Sequence, residues 1–140
     1  MKKNNKILII SARYYTNLMD NMEDDAKDIL KNKNSLVSEC SFFEVPGVFE
    51  IPVVISKFIN KFDGFIALGC VIKGETPHFD FISTATTNAI MKISVDKKKP
   101  IGNGIITCLN KKQAEERSKQ KGREAAKAVI DVLNKLPEPI

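Results

Sequence analysis

The sequence predicts an α/β fold in three layers, with helices covering both faces of a four-stranded parallel sheet. Three observations predict it. Gly64-Phe65-Ile66-Ala67-Leu68 is an unbroken apolar run, the pattern of a strand buried on both faces. Segments with apolar residues at helical spacing lie between this strand and the other strand-like segments. Strand and helix then alternate along the chain, and repeated β–α units with right-handed crossovers build a parallel sheet with helices on either side.

Taken in order, Ile7–Ile10 reads as a short buried strand. Leu18, Met22, Ala26, Ile29 and Leu30 form the apolar stripe of a first helix, with Asn17 as its cap and Lys31 to Lys33 closing it. Leu36–Val45 is a strand, Phe49–Ile59 a helix and Gly64–Ile72 a strand. The next helix runs from Pro77 to Val95, with Ile82, Thr86, Ala89, Ile90 and Ile93 on one face, Thr76 as N-cap and Pro77 in the first helical position. Gly104–Leu109 is the last strand, and the remainder is helical. Gly122 is expected to interrupt that region, Ala125, Ala126, Val129, Ile130 and Leu133 form one face after it, and Pro137 and Pro139 end it. No linker, internal repeat or low-complexity segment divides residues 1–140, so a single domain is expected.

At 140 residues the chain has room for a real core, yet is small enough for oligomerisation to help. Hydrophobic residues at 43% and charged residues at 28% describe an ordinary soluble protein, expected in the cytoplasm. No apolar run has the length of a membrane span, and Met1-Lys2-Lys3-Asn4-Asn5 leads into a strand instead of forming a signal peptide. Cys40, Cys70 and Cys108 are odd in number and form no CxxC pair, so buried reduced thiols are expected. With one histidine and scattered cysteines, no metal site is expected. The net charge of +5 invites a nucleic-acid partner, but no aromatics interleave with Lys97-Lys98-Lys99 or Lys111-Lys112. A solvated basic surface, attractive to a phosphorylated small molecule, is the simpler reading.

The chemistry concentrates in Gly69-Cys70-Val71-Ile72-Lys73-Gly74-Glu75-Thr76-Pro77-His78-Phe79-Asp80. A strand runs into a tight loop and a helix N-terminus, a junction that favours an anion through backbone N–H groups and the helix dipole. Lys73 adds charge, Gly74 allows close approach, and His78 stands beside the anion as a group able to move protons near neutrality. A lone histidine after a strand is also commonly structural. A second segment, Phe43-Glu44-Val45-Pro46-Gly47-Val48-Phe49-Glu50-Ile51-Pro52, has the same grammar. In a parallel sheet the two loops share one edge, so Phe49 and Glu50 would face the anion loop across one crevice.

These residues carry a resemblance. Ala12-Arg13-Tyr14-Tyr15, Val45 to Pro52, Gly69 to Phe81 and Pro100-Ile101-Gly102-Asn103-Gly104-Ile105-Ile106-Thr107 resemble, in order and spacing, the segments of the 6,7-dimethyl-8-ribityllumazine synthase family. Gln113-Ala114 with Arg117, then Lys121-Gly122 and Glu124-Ala125-Ala126, resemble its C-terminal signature. The resemblance implies a flavodoxin-like fold. It also implies condensation of 5-amino-6-(D-ribitylamino)uracil with 3,4-dihydroxy-2-butanone 4-phosphate, releasing phosphate and water, with no cofactor. Positioning of two substrates and a few proton transfers would supply the rate.

Residue by residue, the resemblance puts Tyr14 where the family has a phenylalanine or tryptophan stacking on the pyrimidine. Val48, Phe49 and Glu50 match the pyrimidine- and ribityl-binding segment, and Val71 and Ile72 line the ring. Gly74, Glu75 and Thr76 match the phosphate loop, His78 the proton-transfer residue, and Arg117 the phosphate-binding arginine. Lys121 corresponds to a lysine further along. Tyr15 departs from a frequent asparagine, and Asn103 from a frequent phenylalanine donated by the neighbouring subunit. Arg117 to Gly122 is shorter than usual. The resemblance further implies a pentamer with shared sites and a functional association with riboflavin synthase, and the short loop favours free rings over closed shells. Two rivals are an anion-holding regulatory domain and a flavin- or lumazine-binding relative, neither with turnover.

Overall fold

The computed structural model describes residues 4–136. Four strands, β1 (Asn5–Ala12), β2 (Val37–Val45), β3 (Gly64–Ile72) and β4 (Ile101–Cys108), form one sheet in the order β2-β1-β3-β4. All its neighbours pair in parallel. The helices are α1 (Thr16–Lys31), α2 (Ile51–Lys57), α3 (His78–Lys97) and α4 (Lys111–Lys135), with short 3₁₀ turns at Lys33–Ser35 and Val48–Glu50.

Side chains alternate across a strand, so each central strand feeds two cores. Ile7, Ile9, Ile66 and Leu68 face α1 and α4, where they meet Leu18, Met22, Ala126 and Val129. Leu8, Ile10, Phe65 and Ala67 face the other way, against Ile51 and Ile55 of α2 and Ile90 of α3. The expected three-layer α/β/α architecture with a four-stranded parallel sheet is what the chain adopts. Among the described residues, no helix is long and apolar enough to cross a membrane.

Several local expectations are corrected. Gly122 does not interrupt the last region, because α4 runs unbroken through it. A Cβ at Gly122 would lie 2.2 Å from the carbonyl oxygen of Met22, so the glycine is there to let α1 and α4 touch. Strand β4 starts at Ile101, paired with Phe65, and not at Gly104. A Cβ at Gly102, which the expected strand left out, would meet the Ala125 carbonyl at 2.4 Å, so packing of α4 selects that glycine. Asn17 lies inside the first turn of α1, whose N-cap position is Tyr15 with no side-chain cap. Helix α2 follows the 3₁₀ turn and ends at Lys57. Cys70 and Cys108 are buried as expected, but Cys40 is exposed, since β2 is an edge strand. Pro137 and Pro139 lie outside the described residues.

The Gly122 contact fixes the sign of a substitution. In a helix interior, glycine to alanine ordinarily gains up to about 1 kcal/mol. Here the added methyl drives into backbone, and overpacking of this kind costs about 1–3 kcal/mol. Gly122→Ala is therefore expected to lower the denaturation midpoint in urea; a raised midpoint would contradict the close helix contact.

Candidate functional site

The chain order within the sheet makes a crevice. From β1 the chain turns one way to β2 through α1, and from β3 it turns the other way to β4 through α3. The loops after β1 and β3 therefore part at the C-terminal edge, where ligands of open parallel sheets bind. A cleft of about 690 Å³ opens there. Ala12, Tyr14 and Tyr15 form one wall, Gly47, Val48, Phe49 and Glu50 a second, and Cys70, Val71, Ile72, His78 and Ile82 the rest.

Each wall is held by its own element. The Tyr14 ring is exposed and stands edge-on to Tyr15, with centroids 4.9 Å apart at 79°. Tyr15 packs against the α1–α4 core, and burial pushes its phenol above the usual range. In the second wall the Gly47 N–H donates to Glu50 Oε1 at 3.0 Å, and the Glu50 N–H donates to Gly47 O at 3.2 Å. One carboxylate oxygen thus closes the turn, and a carboxylate keeps further lone pairs for a ligand's hydroxyls. Val48 is buried, nested over Gly69, where a Cβ would come within 2.4 Å of it; Phe49 beside it is left exposed. His78 and Ile82 are one turn apart on α3, so they share a face.

The loop Gly74, Glu75 and Thr76 is exposed and flanks the cleft without lining it. Thr76 Oγ1 accepts from the His78 N–H at 3.3 Å, while the Asp80 and Phe81 N–H groups donate to Pro77 O at 3.1 and 3.2 Å. The helix consequently begins at His78, one residue past the position expected for Pro77. The partnered amides belong to the helix start and not to Gly74, Glu75 or Thr76, and an anion at this loop lies beside the positive end of the dipole of the 20-residue helix α3.

Arg117 and Lys121 do not converge on the cleft. They lie one turn apart on the continuous α4 and line a separate pocket of about 350 Å³ with Ile105, Ile106, Thr107 and Glu124. No residue lines both spaces. Arg117 Nη1 donates to Thr107 O at 2.8 Å, which turns the guanidinium along the outer edge of β4. Asn103 is on that same exposed edge, where its Oδ1 accepts the Ile105 N–H at 3.0 Å and covers an edge amide. Residue patterning named Phe49, Glu50 and His78, and the family resemblance added Tyr14, Val48, Val71 and Ile72. It passed over Tyr15, Cys70 and Ile82, although the one-turn spacing of Ile82 from His78 pointed to the last.

Burial, and then the neighbouring Cys108, push the Cys70 thiol up to about 12. Held that far above the ordinary thiol range, Cys70 stays protonated near neutral pH and is a wall and not a nucleophile. With a disulfide-exchange reagent the native protein is expected to show one accessible thiol, Cys40, slowed because partial burial pushes its pKa up, and all three only after denaturation. Fast labelling of Cys70 in the native state would mean that the cleft floor is open to solvent.

Comparison with known proteins agrees with this architecture. The profile of the 6,7-dimethyl-8-ribityllumazine synthase family matches residues 4–137. The chain is 36% identical over 132 residues to the 6,7-dimethyl-8-ribityllumazine synthase of Corynebacterium glutamicum strain R, covering 90% of this chain and 81% of that protein. It is 37% identical over 140 residues to the enzyme of that name from Campylobacter jejuni serotype O:2, covering 96% and 91%. The corresponding protein of Campylobacter concisus is also 37% identical, covering 96% of this chain and 90% of its own. With a match across nearly its whole length and a cleft at the sheet's switch point, the chain belongs to the 6,7-dimethyl-8-ribityllumazine synthase family, enzymes of riboflavin biosynthesis.

Proposed function

We propose that the protein condenses 5-amino-6-(D-ribitylamino)uracil with 3,4-dihydroxy-2-butanone 4-phosphate to give 6,7-dimethyl-8-ribityllumazine, phosphate and water, the penultimate step of riboflavin biosynthesis. The observation that carries it is the cleft itself, which joins an exposed aromatic ring, a carboxylate-closed turn and an imidazole around about 690 Å³. Tyr14 offers a π-face to the pyrimidine, and Phe49 covers it from the opposite wall. Val71 and Ile72 line its edge, and Glu50 accepts ribityl hydroxyls with the lone pairs the Gly47 contact leaves.

The phosphorylated ketone lies toward Gly74, Glu75 and Thr76, beside the α3 dipole. His78, at the first position of that helix, moves protons as the imine forms, phosphate leaves and the ring closes. Holding both substrates face to face supplies much of the rate. The cations Arg117 and Lys121, turned along the β4 edge, serve the phosphate of a neighbouring copy's cleft, and Asn103 reaches the neighbour from the same edge. A head-to-tail contact of this kind closes into a ring, and family membership supports five members. Riboflavin synthase, which would consume the product, is the expected functional associate.

The test is the appearance of lumazine absorbance when both substrates are supplied. Binding without turnover would leave the protein as a lumazine-binding relative. His78→Ala is expected to slow turnover by about 10²–10⁴-fold, nearer the lower end because water relays protons in an open cleft, while activity stays measurable. Total loss in a folded variant would give His78 another role. Arg117→Ala is expected to cost about 1.5–3 kcal/mol, seen in the KM of the phosphorylated substrate. An unchanged KM would remove Arg117 from the phosphate site.

A further inference from the structure

Arg13 lies outside the cleft lining, yet it ties together the two walls that carry the cleft's aromatic rings. Its N–H donates to Val45 O at 3.2 Å, which carries the β1–β2 pairing one residue beyond β1. Its side chain, 19% exposed, meets three carboxylates from two further elements. Nη1 donates to Glu23 of α1, a buried carboxylate whose same oxygen accepts Ser11 Oγ at 2.7 Å. Nη2 is 2.5 Å from Asp20 of α1, and Nε is 3.1 Å from Glu44 near the end of β2.

Three carboxylates around one guanidinium leave an excess of negative charge. Without the cation, Glu23 would be buried beside two like charges, so the side chain is pinned in place. The planar guanidinium presents donors in several directions, which an ammonium on a flexible stem does not. The placement along the chain gives the network its meaning. Tyr14 follows Arg13 directly, and Glu44 precedes the Val45-Pro46-Gly47 turn that delivers Phe49 and Glu50. The Arg13–Glu44 pair therefore adds a side-chain tie, beside the Arg13 N–H to Val45 O bond, between the residue before Tyr14 and the strand end that leads to Phe49.

We infer that Arg13 is a positioning residue: through Glu44 it sets the gap between Tyr14 and the Phe49–Glu50 turn, and with it the affinity for the flat pyrimidine substrate. The inference rests on the proposed condensation. It implies that the pyrimidine, and not the phosphorylated ketone, feels the brace, because the phosphate loop follows β3 and makes no part of it.

Glu44 is 65% exposed and Asp20 60% exposed, so either ion pair adds little to stability and either carboxylate can be neutralised in a folded protein. Glu44→Gln cuts the tie to the second wall, whereas Asp20→Asn cuts a tie between the β1 end and α1 on the same side. Steady-state kinetics with both substrates, thermal midpoints and a wild-type control are read together. Glu44→Gln is expected to raise the KM for the pyrimidine about threefold to tenfold. Its kcat, its KM for the phosphorylated ketone and its midpoint should stay within error of wild type, and Asp20→Asn should leave all four unchanged. An unchanged pyrimidine KM in Glu44→Gln, an equal rise for both substrates, or an equal effect of Asp20→Asn would overturn the positioning role. Absence of turnover in the wild type would instead overturn the proposed reaction, and this inference with it.

Discussion

The structure depends on one topological constraint: parallel strands are joined by crossovers, and the crossovers share one hand. With the strands ordered β2-β1-β3-β4, the direction of winding reverses between β1 and β3. Helix α1 consequently packs on one face of the sheet and α3 on the other. The loops that lead to them separate at the shared edge, and the gap between them is the cleft. Tyr14 and His78, far apart in sequence, face one space because the sheet changes direction between the strands that precede them.

Close packing on the α1–α4 face decides what the outer edge of the sheet carries. Gly122 brings α4 against the Met22 carbonyl, and Gly102 brings it against β4. Held at two such points, α4 runs unbroken over Lys111–Lys135 and carries Arg117 and Lys121 past the β4 edge. The opposite face is less fully covered. Helix α3 buries only Thr86 and Ile90 and leaves Phe81, Met91 and Val95 exposed, while α2 leaves Val53 exposed. Large apolar side chains left exposed on one face mark it as open to contact with another surface.

Strand and helix identities were legible because the buried strands are apolar throughout and the helices between them keep their spacing. The cleft residues were legible for a related reason: in a parallel sheet, whatever follows a strand lies at one edge. Tertiary contact hid the rest. Gly122 looks like a break, and Gly102 fell outside the expected strand, because local propensity is all that a sequence shows, while the cause of each is a backbone on another element. Cys40 was expected to be buried because it lies within a strand, yet Ser38, Glu39, Ser41 and Glu44 give β2 the polar content of an edge, and the sheet order places it there. Thr76 makes the hydroxyl contact to the His78 N–H that a cap makes, while the helix ladder opens one residue late, with the Phe81 N–H on Pro77 O. No local pattern marked Arg13, since its partners Asp20, Glu23 and Glu44 come from two other elements.

The cleft and the cation pocket lie apart within one chain, so the proposed reaction requires them to meet between copies. Refolding a mixture of Tyr14→Ala and Arg117→Ala subunits in equal amounts tests this most directly. If sites are shared, random assembly restores an intact Tyr14–Arg117 pair at about one interface in four. Activity should return to about a quarter of wild type, although each parent alone is poor. A verified mixed assembly that shows no recovery would place the whole site within one subunit and contradict the shared cleft.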